Sequence, residues 1–285
     1  MYSKEFLEMI SVLVDDISLT GDIVNYHEIF SKEINELNAV LKLDKQKEFK
    51  DVESGILMAP VPFVASGEDI QVAILGLNPL WHEFSGSEVE AAGTTWESYA
   101  EFYTSSAIIR KALDVPRNPY YESVFNILMS LRERVFTPYG EYFRGLSRAN
   151  KIDKYINLIE DYNICVAESL PFRSSNTDTI DMELLYERLP RYKQYTNKLF
   201  AFLADNLAPN GWLVANGKAA KEALDLALGA EMKLINENRE RAYSLYQWKG
   251  RHVLAFHEFF RRRNGKLNSY HDIEEMFMEV FSIVS

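Results

Sequence analysis

The segment Gln71–Pro79, QVAILGLNP, constrains this chain more than any other. Val72 to Leu75 are continuous and mostly branched, the pattern of a strand buried on both faces of a parallel sheet. Gly76 then lets the backbone turn tightly, and Pro79 stops further strand pairing. Asn78 is left at the C-terminal tip of a central strand. In open α/β sheets that edge is where ligands bind.

The rest of the chain supplies partners for such a strand. Apolar residues at three- and four-residue spacing predict helices over about Ser3–Asp16, Ile23–Leu43, Trp96–Leu113, Tyr121–Phe136, Ser147–Glu160, Met182–Asn206 and Tyr270–Val284. Met58–Ser66 reads as an extended lead into the first strand, and 78–95 as a loop. Further strands are predicted at Tyr162–Ala167, at Trp212–Ala215, and at Arg241–Gln247 and His252–Phe256 around a tight turn at Lys249-Gly250. This alternation predicts a three-layer α/β/α fold with a central, mainly parallel four-stranded sheet. Residues 1–57 are expected to form an N-terminal helical extension packed on an α/β domain spanning 58–285.

Composition narrows the function classes. A hydrophobic fraction of 47% over 285 residues suits one large core and argues against long disorder. No apolar run approaches the roughly 20 residues of a membrane span, and MYSKEFLEMI lacks a signal-peptide pattern, so a cytoplasmic monomer with no membrane partner is expected. Cys165 stands alone, which excludes an intramolecular disulfide and a cysteine-held metal cluster. The five histidines show no metal-ligand spacing, and no cofactor is expected. A formal charge of −11 works against a nucleic-acid partner, yet Arg261-Arg262-Arg263 makes one dense basic patch. Arg110-Lys111 and Arg144 with Arg148 make smaller ones.

Four buried strands each end in a polar signal: Asn78, Glu168-Ser169, Asn216-Gly217-Lys218 and His257. In a parallel sheet these ends share one edge, so the four converge on one cleft. At this point the chain resembles the uracil-DNA glycosylase superfamily. AILGLNP is similar to that family's first motif, in the Gly-x-Asn-Pro form of the mismatch-specific branch. WLVANGKAA resembles its third strand and Gly-Lys-x-Ala helix start, and HVLAFHEFF its last strand and histidine motif, with Glu258-Phe259 in place of Pro-Ser. VPRNPYYESVFNIL is similar to its Pro-Ser-Leu-x-Asn-Ile segment, with Ser123 and Asn126 matching. Leu80 stands where the classical branch has a tyrosine that blocks substituents on pyrimidine C5. Glu168 or Ser169 stands where the family places an asparagine that reads uracil.

The resemblance implies a monofunctional DNA glycosylase that leaves an abasic site. Asn78 would hold water beneath the sugar, and His257 would donate to the base O2 as negative charge gathers there. Gly76, Leu77, Leu80, Glu168 and Ser169 would surround the base. Ser123, Gly217, Lys218, Phe259 and Arg261 to Arg263 would hold a flipped-out nucleotide or a single strand. An ionised Glu168 accepts only, which suits the N4 amino group of cytosine, and Leu80 leaves room at C5. A C5-modified cytosine in phage DNA is therefore the favoured substrate, as in similar anti-phage glycosylases. Three other readings stay open: a uracil or mismatch repair glycosylase, an inactive glycosylase-fold module binding DNA or protein, and an enzyme on free nucleosides. Each residue also has a plainer reading. Asn78 can cap a turn, His257 can be structural, Glu168 can pair with Arg173, and the arginine run can be a solvated face.

Overall fold

The structure, a computed structural model, describes residues 2–14, 18–45, 48–53, 55–77, 79, 85–113, 119–174, 180–258 and 270–284. The chain begins with helices α1 (Ser3–Leu13) and α2 (His27–Leu41), then an antiparallel pair, β1 (Val52–Glu53) and β2 (Ile56–Leu57). Strands β3 (Phe63–Ala65) and β4 (Ile70–Gly76) follow. Next come helices α3 (Ser85–Ala92), α4 (Trp96–Tyr103), α5 (Ser106–Leu113), α6 (Pro119–Glu133), α7 (Tyr139–Tyr142) and α8 (Arg148–Tyr162), leading to β5 (Ile164–Glu168). Helices α9 (Met182–Arg188) and α10 (Pro190–Asn206) precede β6 (Leu207–Asn216), and α11 (Lys218–Leu228) follows it. Strands β7 (Lys233–Asn238), β8 (Tyr243–Trp248) and β9 (Arg251–Phe256) come before α12 (Tyr270–Val284).

Among the described residues the main sheet has seven strands in the order β3-β5-β4-β6-β9-β8-β7, rather than the four expected. The neighbours β5, β4, β6 and β9 pair in parallel, while β3, β8 and β7 add antiparallel edges. The sheet is mixed. Of the added strands, β8 matches the strand expected at Arg241–Gln247, whereas β3 lies in the proline-punctuated MAPVPFVAS and β7 reads KLINEN, a short polar edge strand. β6 begins earlier than its apolar run, at Leu207. Its register against β4 shifts near Asn210, whose positive φ of 59° absorbs the extra residues as a bulge. The turn at Lys249-Gly250 has φ of 48° and 77°, the left-handed pair that joins two antiparallel strands tightly.

Both faces of the sheet are covered. Phe63, Ala167, Leu75, Ala215 and Ala255 form one cross-strand row, so their side chains share a face. On that face Phe63 stacks on Phe202 of α10 with ring centroids 4.6 Å apart. Trp212, three residues before Ala215, points the other way and meets Phe281 of α12 edge-on. The strand interiors are apolar for that reason.

Helix boundaries follow local chemistry. The segment 182–206, expected as one helix, is two, because Pro190 cannot donate its amide and forces Leu189 out of helical geometry (φ −127°, ψ 78°). The segment 96–113 likewise breaks into α4 and α5, where the Thr104 hydroxyl donates back to Ala100 O at 2.7 Å. Helix α3 occupies part of the stretch expected as a loop. The N-terminal helices share the main core. Phe6 of α1 is fully buried against Phe63, Tyr99 and Tyr103, a burial worth about 2–3 kcal/mol. Glu33 of α2 accepts from Arg191 of α10 at 2.9 Å. Among the described residues no helix is long and apolar enough to cross a membrane.

Candidate active site

The parallel strands end together. Gly76 at the end of β4 lies opposite Glu168 at the end of β5, and Asn216 of β6 lies opposite Phe256 of β9. Leu75 lies opposite Ala215, so Gly76 and Asn216 also finish side by side. Glu168, Gly76, Asn216 and Phe256 thus form the last row of the sheet on the face that carries Trp212. At a strand spacing of about 4.8 Å, the Glu168 and Asn216 backbones stand about 10 Å apart with only a glycine between them.

That glycine has a different purpose from the turn expected of it. Gly76 is still in the strand, without a positive φ. A Cβ there would stand 2.5 Å from Glu168 Oε2, closer than carbon and oxygen can approach. The missing side chain is the space into which the Glu168 carboxyl leans.

Glu168 is 8% exposed, and its Oε2 has no hydrogen-bond partner among the described residues. Burial pushes its carboxyl up from 4.5 to about 8, and Arg173 pulls it only partly back. Glu168 is therefore largely neutral at pH 7, a donor and acceptor rather than the acceptor-only carboxylate expected. Arg173 is itself buried and donates from Nη2 to Tyr103 Oη at 2.9 Å. The backbone around Glu168 is held on three sides. Its N–H donates to Pro62 O at 2.9 Å, and its carbonyl accepts from the Tyr195 hydroxyl at 2.6 Å. The N–H and hydroxyl of Ser169 both donate to Gly76 O, at 3.1 and 3.0 Å. Leu170 N donates to Leu77 O at 2.7 Å. These contacts continue the β4–β5 pairing past the strand ends, so the carboxyl sits on a rigid base.

The structure brings Gly76, Leu77, Glu168 and Ser169 together. His257 stands apart, two strands from β4. Its Nε2 lies 2.8 Å from Ser244 Oγ, and its N–H donates to Ala242 O at 2.8 Å. Ser244 lies opposite Ala255, so that contact belongs to the α10 face and not to the face of Glu168. Gly217, at the N-terminus of α11, has φ of 111°, a conformation that needs glycine, and Lys218 beside it is exposed. Ser123 is 2% exposed on α6, so its hydroxyl does not face solvent. Asn126 on the same helix is buried, and its Oδ1 accepts from Tyr139 N at 3.2 Å. Asn78, Leu80, Phe259, Arg261, Arg262 and Arg263 lie outside the described residues.

One contributor is easily missed in the sequence. Tyr195 reads as one more core residue on the apolar stripe of α10, with nothing to announce that its hydroxyl grips Glu168. Asn216 belongs to the Asn-Gly-Lys run, and strand parity alone places it on the same face as Glu168. Among the described residues no group of three or more His, Cys, Asp or Glu side chains is placed to hold a metal. No protein-family model and no curated protein matches this chain.

Proposed function

We propose that this chain is a DNA glycosylase that hydrolyses the N-glycosidic bond of a modified pyrimidine, with a C5-modified cytosine as the favoured substrate. One observation supports it most: a buried, neutral carboxyl at the ligand edge of the central strands, with an oxygen that no described residue satisfies. Buried polar atoms are almost always paired, and an orphan at a sheet's ligand edge is a group waiting for a partner. A neutral Glu168 offers one donor and one acceptor, which match the N3 acceptor and N4 donor of cytosine. The ionised form would meet N4–H but repel N3, so burial as a neutral acid suits a base edge that offers one donor beside one acceptor. Uracil presents the reverse order, and the choice between the two bases rests on which Glu168 oxygen keeps the proton.

In the reaction the bond between the base nitrogen and C1′ breaks, and its electron pair leaves with the base. Water adds to C1′ and gives up a proton, which ends on the base or in solvent. Asn78 is assigned the orientation of that water, and a role for His257 at O2 requires its ring to leave Ser244 and the face opposite Glu168. Excision is monofunctional, leaving an abasic site in a flipped-out or single-stranded context.

The test is abasic-site formation on oligonucleotides and phage genomes carrying uracil, cytosine and C5-modified cytosines. Release from modified cytosine, loss of release in Asn78→Ala and Glu168→Ala, and partial retention in Glu168→Gln are expected. The amide keeps a donor and an acceptor where alanine keeps neither. Abasic sites in uracil DNA alone, with modified-cytosine DNA intact, would overturn the substrate assignment. A second reading, a catalytically silent glycosylase-fold binder, draws support from the engagement of His257 by Ser244. Tight DNA binding without any base release from wild type would favour it.

A further inference from the structure

The sequence scatters its basic residues, but the fold gathers three of them. Arg110 and Lys111 in the last turn of α5 meet Arg148 at the start of α8 around a groove of about 650 Å³, floored by Phe102, Ala107 and Ile152. The two helices run antiparallel. The Ser106 hydroxyl donates to Glu160 Oε1 at 2.5 Å, and four residues later Arg110 Nη1 donates to Asp153 Oδ1 at 2.7 Å.

The groove lies toward the carboxyl end of the parallel strands. Ser66 Oγ donates to Ile159 O and accepts from Ile164 N, so the C-terminal end of α8 is level with the start of β5. Asn163, with a left-handed φ of 44°, turns the chain straight back from α8 into β5. From Ile159 back to Arg148 the helix rises about 16 Å. Over Ile164–Glu168 the strand rises about 13 Å. The start of α8, with its cations, therefore reaches the level of the carboxyl edge where Gly76 and Glu168 end.

We infer that this groove carries the sugar–phosphate backbone of the nucleic-acid strand whose base enters the Glu168 site. The inference rests on the glycosylase reading for its substrate. A chain of net charge −11 repels a polyanion over most of its surface, so a strand should approach where cations are concentrated. The Arg110–Asp153 ion pair is no obstacle. Both side chains are more than half exposed, and such pairs exchange readily for phosphate. The apolar floor suits the sugar faces between phosphates. An acidic peptide is the competing occupant.

The experiment measures binding of a fluorescein-labelled, unmodified single-stranded oligonucleotide by anisotropy across a salt series. It compares wild type, the triple variant Arg110→Ala, Lys111→Ala, Arg148→Ala, and a control, Lys193→Ala with Lys198→Ala on α10. Each phosphate contact on a single strand contributes about 0.7 to the slope of log affinity against log salt. The triple variant should lose about 2 from that slope and bind at least tenfold more weakly at 0.1 M salt, while the control stays within twofold of wild type. Unchanged slope and affinity in the triple variant would overturn the groove assignment, and intact base release would then leave the glycosylase reading standing. Absence of oligonucleotide binding by wild type, or binding of poly-glutamate that the triple variant alone loses, would also overturn it. Groove-dependent binding without base release from any modified DNA would uphold the groove and remove the glycosylase reading.

Discussion

Glu168→Gln tests the central feature of the site without reference to any substrate. The folded protein holds the Glu168 proton up to about pH 8, whereas an unfolded chain releases it near 4.5. Below pH 4.5 both states are protonated and the carboxyl does not favour unfolding. Between 4.5 and about 8 the folded state binds the extra proton, so stability falls as pH rises through that window. Each pH unit of separation is worth about 1.4 kcal/mol, so the whole interval corresponds to about 5 kcal/mol as an upper bound. That is a large fraction of a domain's stability. Glutamine has nearly the same shape and cannot ionise. The assay is urea unfolding of both proteins at pH 5, 6, 7 and 8. The stability of wild type relative to Glu168→Gln should fall by about 1 kcal/mol per pH unit, and taking the difference cancels other titrating groups. Parallel pH profiles for the two proteins would refute the claim that Glu168 is buried as a neutral acid.

Gly76→Ala should cost about 1–3 kcal/mol, because the new methyl occupies the carboxyl's space, and much less in a Glu168→Ala background. A double-mutant cycle by urea unfolding should give a coupling of at least 0.5 kcal/mol, and additivity would show that the two residues do not meet. Tyr195→Phe removes the 2.6 Å bond to Glu168 O and should cost about 1–2 kcal/mol in the same assay, with no loss of secondary structure by circular dichroism. Arg191→Ala leaves Glu33 buried without its guanidinium and should cost about 3 kcal/mol. Limited proteolysis should then cut first near α2 if that pair is what anchors it.

The parallel strands and the edge where they end were legible in the sequence because fully buried strands are written as continuous apolar runs. VAIL, ICVA, WLVA and HVLAF all fall in the central sheet, and Glu168 and Asn216 fall on its carboxyl edge. Of the flanking strands, β8 was legible as Arg241–Gln247, whereas β3 and β7 were not. An edge strand such as KLINEN needs only backbone bonding on one side, and its side chains carry little signal. The reason for Gly76 was hidden too. Its partner Glu168 is far along the chain, and only the pairing of β4 with β5 reveals that one residue's missing side chain is the other's space. The same holds for Tyr195 and for the gathering of Arg110, Lys111 and Arg148, whose proximity is a property of helix docking.

The packing of α1 also sets an order of assembly. Phe6 is surrounded by Phe63, Tyr99 and Tyr103, and Tyr2 meets Phe202 at 5.0 Å, so α1 closes on residues synthesised long after it. On the ribosome the Phe6 side of this amphipathic helix waits for β3 and α4, and the Tyr2 side waits for α10. Contacts of such sequence separation are entropically slow to close, so the docking of α1 belongs among the late folding events. Until then the same apolar face is open to chaperones, and to the α10 of a neighbouring chain. Exchange of α1 between two molecules is accordingly a misassembly open to this fold when it folds at high concentration.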